Sequence, residues 1–186
     1  MDMLVNHNLK YFLMNKNLII NLFGGPGSGK STMRARIFTE LKCKQLNCEE
    51  ITEFAKDQTW EENHTALNDQ IFMFGSQYHR MYRVMSKVDI IVTDSPILLS
   101  TIYDKHKDEY LEKLIVSQHN KMNTLNVFLE RKYIYQTLGR NEDINTAMQI
   151  DNTIIEYLEK HKVEYITSYS STQNAITIAN LAEKLI

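Results

Sequence analysis

The sequence predicts an α/β fold in which a five-stranded parallel sheet is covered by helices on both faces. Three observations carry this. Short apolar runs alternate with longer segments of helical spacing along the 186-residue chain, the signature of strand–helix–strand units. The first run, Leu18-Ile19-Ile20-Asn21-Leu22-Phe23, has the length and bulk of a buried strand. It leads without a break into Gly24-Gly25-Pro26-Gly27-Ser28-Gly29-Lys30-Ser31-Thr32. That stretch satisfies every fixed position of the phosphate-loop pattern G-x-x-x-x-G-K-[ST].

The pattern has a geometric reason. Glycines let the backbone turn where a Cβ would forbid it. Successive N–H groups then face one anion, and the following helix adds its positive N-terminal end. Gly25, Pro26, Gly27, Ser28, Gly29, Lys30, Ser31 and Thr32 are therefore the expected nucleotide-binding residues. Lys30 is expected to reach the β- and γ-phosphates of ATP, and the Ser31 hydroxyl to ligate Mg²⁺.

The remaining elements follow in order. Met33, Ile37 and Leu41 stand at helical spacing and predict a helix over Ser31–Leu41. Glu50 to Phe54 reads as a second strand. Leu67 to Met85 reads as one helix with an apolar stripe of Leu67, Ile71, Phe74, Tyr78, Met81, Tyr82 and Met85. Val88 to Asp94 is a third strand ending on a carboxylate. Helical pattern resumes at Ile97 and again over Tyr110–Gln118, around a charged loop at Asp104–Glu109. Leu125 to Leu129 is a fourth strand, and the polar, basic stretch Glu130–Asn141 reads as a flap. Asp143 to Lys160 is an amphipathic helix, Val163 to Thr167 a fifth strand, and Asn174 to Ile186 a closing helix.

Bulk properties bound the rest. The length suits one domain with one sizeable core, with residues 17–186 as the domain and residues 1–16 as an N-terminal extension. A net charge of −2 gives no sign of a broad nucleic-acid surface. Cys43 and Cys48 lack partner ligands at zinc spacing, so a reduced, cytoplasmic protein is expected. No apolar run approaches the ~20 residues that a membrane span needs.

Other residues carry chemistry by position. Asp94 ends an apolar strand, where phosphate-loop proteins place a carboxylate for Mg²⁺. Ser95 follows it where a water-activating Glu would favour hydrolysis, so transfer to a bound acceptor is the expectation. Glu53 and Lys56 follow the second strand, and open α/β sheets bind ligands at such strand ends. Glu53 is expected to orient or deprotonate an acceptor hydroxyl, with Asp57 as the weaker substitute. Lys56 is expected to hold the acceptor. Gln70 and Gln77 lie on one edge of the long helix, and an amide suits a base edge. Arg131, Lys132 and Arg140 flank the flap, and Arg131 and Arg140 are the expected cations for the transferring phosphoryl group. Asp151 has the charge to pair with one of them. His79, Arg80 and Arg83 project away from the stripe as solvated groups.

Together the glycine loop, Glu53-Phe54-Ala55-Lys56-Asp57, Thr93-Asp94-Ser95-Pro96 and the basic flap with Gly139-Arg140-Asn141 resemble a P-loop kinase. The similarity is to the NadR-like ribosylnicotinamide kinase domain and to small AAA-like ATPase-kinase proteins, many from tailed bacteriophages. It spans most of residues 17–186. The resemblance implies a three-layer P-loop NTPase fold with strand order 2-3-1-4-5, ATP and Mg²⁺ as cofactors, and a nucleoside or nucleotide acceptor. For a phage-encoded protein it implies the host cytoplasm. NadR-like proteins carry an Arg near the position of Lys56, a departure that leaves the acceptor open. The chain is too short to hold the adenylyltransferase half of NadR as well.

Two other classes stay open. A kinase acting on a DNA 5′ end or a modified base would need a positive groove and steep salt dependence. A nucleotide-dependent ATPase or switch on a protein partner would bind nucleotide without making a phosphorylated small product. A homodimer is compatible with each.

Overall fold

The structure, a computed structural model, describes residues 17–132 and 143–186. The expected extension at residues 1–16 and the flap cation Arg140 lie outside the described residues.

Five strands form one parallel sheet in the order β2-β3-β1-β4-β5. They are β1 (Leu18–Phe23), β2 (Cys48–Ile51), β3 (Ile90–Thr93), β4 (Asn123–Leu129) and β5 (Ile166–Ser168). Register places Leu18 beside Ile90 on one side and Asn123 on the other, so β1 is central. The order implied by the resemblance is the observed one.

Helices α1 (Lys30–Cys43), α2 (Phe54–Trp60), α3 (His64–Asn68) and α4 (Gln70–Tyr82) precede β3. Then come α5 (Leu99–Tyr103), α6 (Glu109–His119), α7 (Ile144–Lys160) and α8 (Thr172–Leu185). The period of two along β1 sorts its side chains between two cores. Leu18, Ile20 and Leu22 pack with Met33, Ile37 and Leu41 of α1 and with Ala175, Ile178, Ala179 and Ala182 of α8. Ile19 and Phe23 pack on the opposite face with Phe74 and Met81 of α4, Leu111 and Ile115 of α6, and Ile154 and Leu158 of α7. Asn21, the polar residue within the apolar run, donates through Nδ2 to Asn126 Oδ1 of the neighbouring strand at 2.9 Å. Asn126 Nδ2 in turn donates to the Glu164 carbonyl at 3.0 Å, so both buried amides are satisfied.

Two sequence expectations are corrected. The second strand was expected over residues 50–54, but it ends at Ile51, and Phe54 opens α2 with Glu53 at the N-cap position. The helix expected over residues 67–85 is two helices, because Asp69 turns the chain and its carboxylate accepts the Phe72 N–H. The buried face of α4 is Met73, Phe74, Gln77 and Met81, while Ile71 and Tyr82 are 65% and 55% exposed.

His119 is buried at the end of α6, and its Nδ1 has no partner. Burial lowers its pKa to about 4 from 6.5. The unfolded chain takes up a proton near pH 6.5 that the fold refuses until about pH 4. Stability from this group is therefore complete above pH 6.5 and is lost as pH falls toward 4. The full loss is about 3 kcal/mol. Urea unfolding of His119→Gln beside the parent at pH 7 and pH 4.5 is expected to show a smaller acid loss in the variant. Equal losses would assign the acid sensitivity elsewhere.

Candidate active site

β1 delivers its glycine loop to the middle of the sheet's carboxyl edge. Gly24, Gly27 and Gly29 take φ of 137°, 79° and 92°, values that disfavour any side chain. Lys30 curls back over the loop, and its Nζ donates to the Gly24 carbonyl at 2.6 Å and the Gly25 carbonyl at 3.0 Å. Helices α3, α4, α6, α7 and α8 each have a side chain capping the N-terminus. The fourteen-residue α1 has none and carries no acidic residue in its first turn. Its leading N–H groups are thus left for an outside anion. The Ser28 hydroxyl is buried without a partner beside them. This cradle fits a phosphate chain.

Burial lowers the pKa of Lys30, and Glu53, Asp94 and Asp151 raise it in that order of strength, with Arg131 lowering it. Three carboxylates from three separate elements therefore act on one ammonium group through charge. Glu53 stands just beyond β2 and Asp94 just beyond β3, which parallel pairing aligns with β1. The sequence placed both at this edge.

Asp94 is 2% exposed and pairs with Arg34, whose Nη1 lies 3.2 Å from Oδ1. Arg34 Nε also lies 3.0 Å from Glu50 Oε2. Sequence reasoning missed Arg34, although it stands one helical turn after Lys30, on the same side of α1. Ser31, half-buried in the first turn of α1, and Asp94 make a small hard-oxygen donor set. That suits Mg²⁺, which keeps several waters and takes the rest of its shell from substrate phosphates.

The acceptor-side residues divide. Gln77 is 4% exposed, and its Oε1 accepts the Phe54 N–H at 2.9 Å, which ties α4 to the residue after Glu53. Its Nε2 is buried without a partner. Gln70 turns back on its own chain, donating to the Leu67 carbonyl at 3.0 Å. Lys56 is exposed on α2. Arg80, expected to be solvated, pairs with Asp57, donates to Thr52 Oγ1 at 3.0 Å and lies 4.9 Å from the centre of the Phe54 ring. Asp57 is therefore engaged by Arg80.

Arg131, one of the cations expected to close over the transferring phosphoryl group, pairs with Asp151, the carboxylate expected to meet one of them, at the loop's base. Nε donates to Asp151 Oδ2 at 2.5 Å, Nη1 to the Pro26 carbonyl at 2.6 Å and Nη2 to the Ala147 carbonyl at 3.1 Å. Lys132 lies 3.7 Å from the Tyr169 ring centre. The chain after β5 also meets the loop: a Cβ on Gly29 would come 2.7 Å from the Ser170 Cβ. Tyr169 and Ser170 carry no motif, so nothing local in the sequence marked them.

A central strand, a glycine loop and an uncapped helix in a 2-3-1-4-5 parallel sheet define a P-loop NTPase domain. The family described as an AAA domain matches over residues 19–173, and the chain belongs to that family. Among solved structures, deoxyadenosine kinase from M. mycoides, described with bound dATP, has a TM-score of 0.53 at 18% identity. The alignment covers 90% of this chain and 98% of that one, and it shows a shared P-loop kinase fold. A structure described as APE1195 aligns over 92% of this chain and 98% of its own, with 13% identity and a TM-score of 0.47. No curated protein matches the sequence. Among the described residues, no helix is long and apolar enough to cross a membrane.

Proposed function

We propose that the chain is an ATP-dependent kinase that phosphorylates a nucleoside, a nucleotide or a related small molecule. The observation that carries this is the uncapped phosphate loop after the central strand, with Asp94 just beyond β3 and Glu53 just beyond β2 on the same edge of the sheet. Lys30 and the backbone amides of residues 27–32 would hold the phosphates of ATP. Ser31 and Asp94 would hold Mg²⁺, which when bound neutralises charge on the phosphates. Glu53 would orient the acceptor hydroxyl and accept its proton. Arg140 would act from the flap side. Catalysis in such a site is mostly positioning and charge stabilisation.

Two features support a base-bearing acceptor. The buried Gln77 Nε2 lacks a partner, and a buried unpaired donor costs about 1–3 kcal/mol. An acceptor atom on a base edge would relieve that cost. The fold shared with a deoxyadenosine kinase and the resemblance to the NadR-like kinase domain point to the same class. Gln70 and Lys56 would line the outer side of that acceptor.

Incubation with γ-labelled ATP and a panel of nucleosides, nucleotides and DNA tests the reading. Label is expected on a small molecule. Label on a DNA end would move the acceptor to nucleic acid. Release of free phosphate alone would make the protein an ATPase or switch.

Asp94→Asn is expected to weaken Mg²⁺-dependent turnover about 10–100-fold, the usual effect of losing a metal-orienting partner. Nucleotide binding without metal should change far less. Equal losses with and without Mg²⁺ would leave Asp94 only a structural partner of Arg34.

A further inference from the structure

The first half of the phosphate loop is held from outside by α7. Asp151 Oδ1 accepts the Gly25 N–H at 2.5 Å. Its other oxygen accepts Arg131 Nε at 2.5 Å, and Arg131 Nη1 reaches the Pro26 carbonyl at 2.6 Å. Gly25, Asp151, Arg131 and Pro26 thus form a closed ring of contacts. Lys30 takes the carbonyls of Gly24 and Gly25. Every polar backbone group of Gly25 and Pro26 therefore has a partner within the protein.

This ring sets the direction of the peptides. A carbonyl turned toward the cradle would place partial negative charge against the phosphates. Arg131 and Lys30 hold those carbonyls, while no side chain of the described residues accepts from the N–H groups of residues 27–32. Only a guanidinium can serve a carboxylate and two carbonyls at once from a fixed plane. The ring also explains Gly25, a position that the loop pattern leaves variable. A Cβ there would come 2.7 Å from the Ala147 carbonyl, 2.9 Å from Arg131 and 3.0 Å from Asp151. Side-chain exposures of 15% for Arg131 and 14% for Asp151 shield the pair from solvent.

We infer that Asp151 is a positioning residue for nucleotide binding, which acts through Arg131 and the Gly25 N–H to hold the phosphate loop with its carbonyls outward. The inference rests on the reading of the loop as a nucleotide site. Its consequence is that helix α7, placed after the flap, sets the loop's affinity for phosphates.

Titration calorimetry with ADP and Mg²⁺ on the full chain tests it, using the parent, Asp151→Asn, Arg131→Lys and the double variant. The Asn keeps shape and loses charge; the Lys keeps charge and loses the fork. Each single variant is expected to weaken ADP about tenfold or more, the value of one charge-assisted hydrogen bond. The double variant should be no worse than either single one, because both break the same ring. In turnover assays KM for ATP should rise with kcat at saturating ATP little changed. Melting of the ligand-free proteins separates folding from binding. If Asp151→Asn fails to fold, Arg131→Lys carries the same expectation. Unchanged ADP affinity in a folded single variant overturns the inference, as does a fall in kcat with ADP affinity intact, which would return Arg131 to the transfer step. A parent that binds no ADP would overturn the nucleotide reading itself, a result distinct from either.

Discussion

Lys30→Ala is expected to lower phosphoryl transfer about 10²–10³-fold or more, the usual loss when one preorganised charge is removed from a transition state. The ammonium sits in a half-buried loop and donates to the Gly24 and Gly25 carbonyls, so ligand phosphates would be its third partner. Removing it also removes a charge that burial disfavours. Fold stability should therefore change little, and far-UV dichroism with a thermal melt should match the parent. Turnover at parent level from a folded variant would sink the site assignment.

Glu53→Gln is expected to cut turnover about 10²–10⁴-fold, the range for a lost proton acceptor, with ATP affinity little changed. Glu53 raises the Lys30 pKa more than Asp94 or Asp151 does, yet it comes from the chain just beyond β2 and not from the phosphate loop. The Gln keeps the shape and hydrogen-bonding reach and loses the basicity. ATP affinity measured by calorimetry and acceptor kinetics measured by label transfer separate the two roles. Parent turnover with the true acceptor would make Glu53 a turn residue. Asp57 would then be the next carboxylate to test, although Arg80 holds it.

Much of the phosphate side was legible in the sequence because its logic is local. Gly24 to Thr32 carry their spacing within one turn of chain, and the apolar run before them fixes where the loop emerges. Asp94 was legible for the same reason, as a carboxylate closing a strand. The acceptor side was less so. The break at Asp69 depends on one capping carboxylate, and the buried face of α4 is centred on Met73, Gln77 and Met81 rather than on the expected stripe, so Ile71 and Tyr82 were placed inward although both are exposed.

The sequence by itself determined the class of fold, the loop, and the carboxylates at the strand ends, because period and motif spacing are properties of neighbouring residues. Tertiary structure alone decided which charges meet. Arg34 and Asp94 are 60 residues apart, Gly25 and Asp151 are 126 apart, and Arg131 and Pro26 are 105 apart. Those meetings follow from the order in which parallel strands pair across β1. Side-chain chemistry sets what each charge can do, and only that pairing sets which partner it finds.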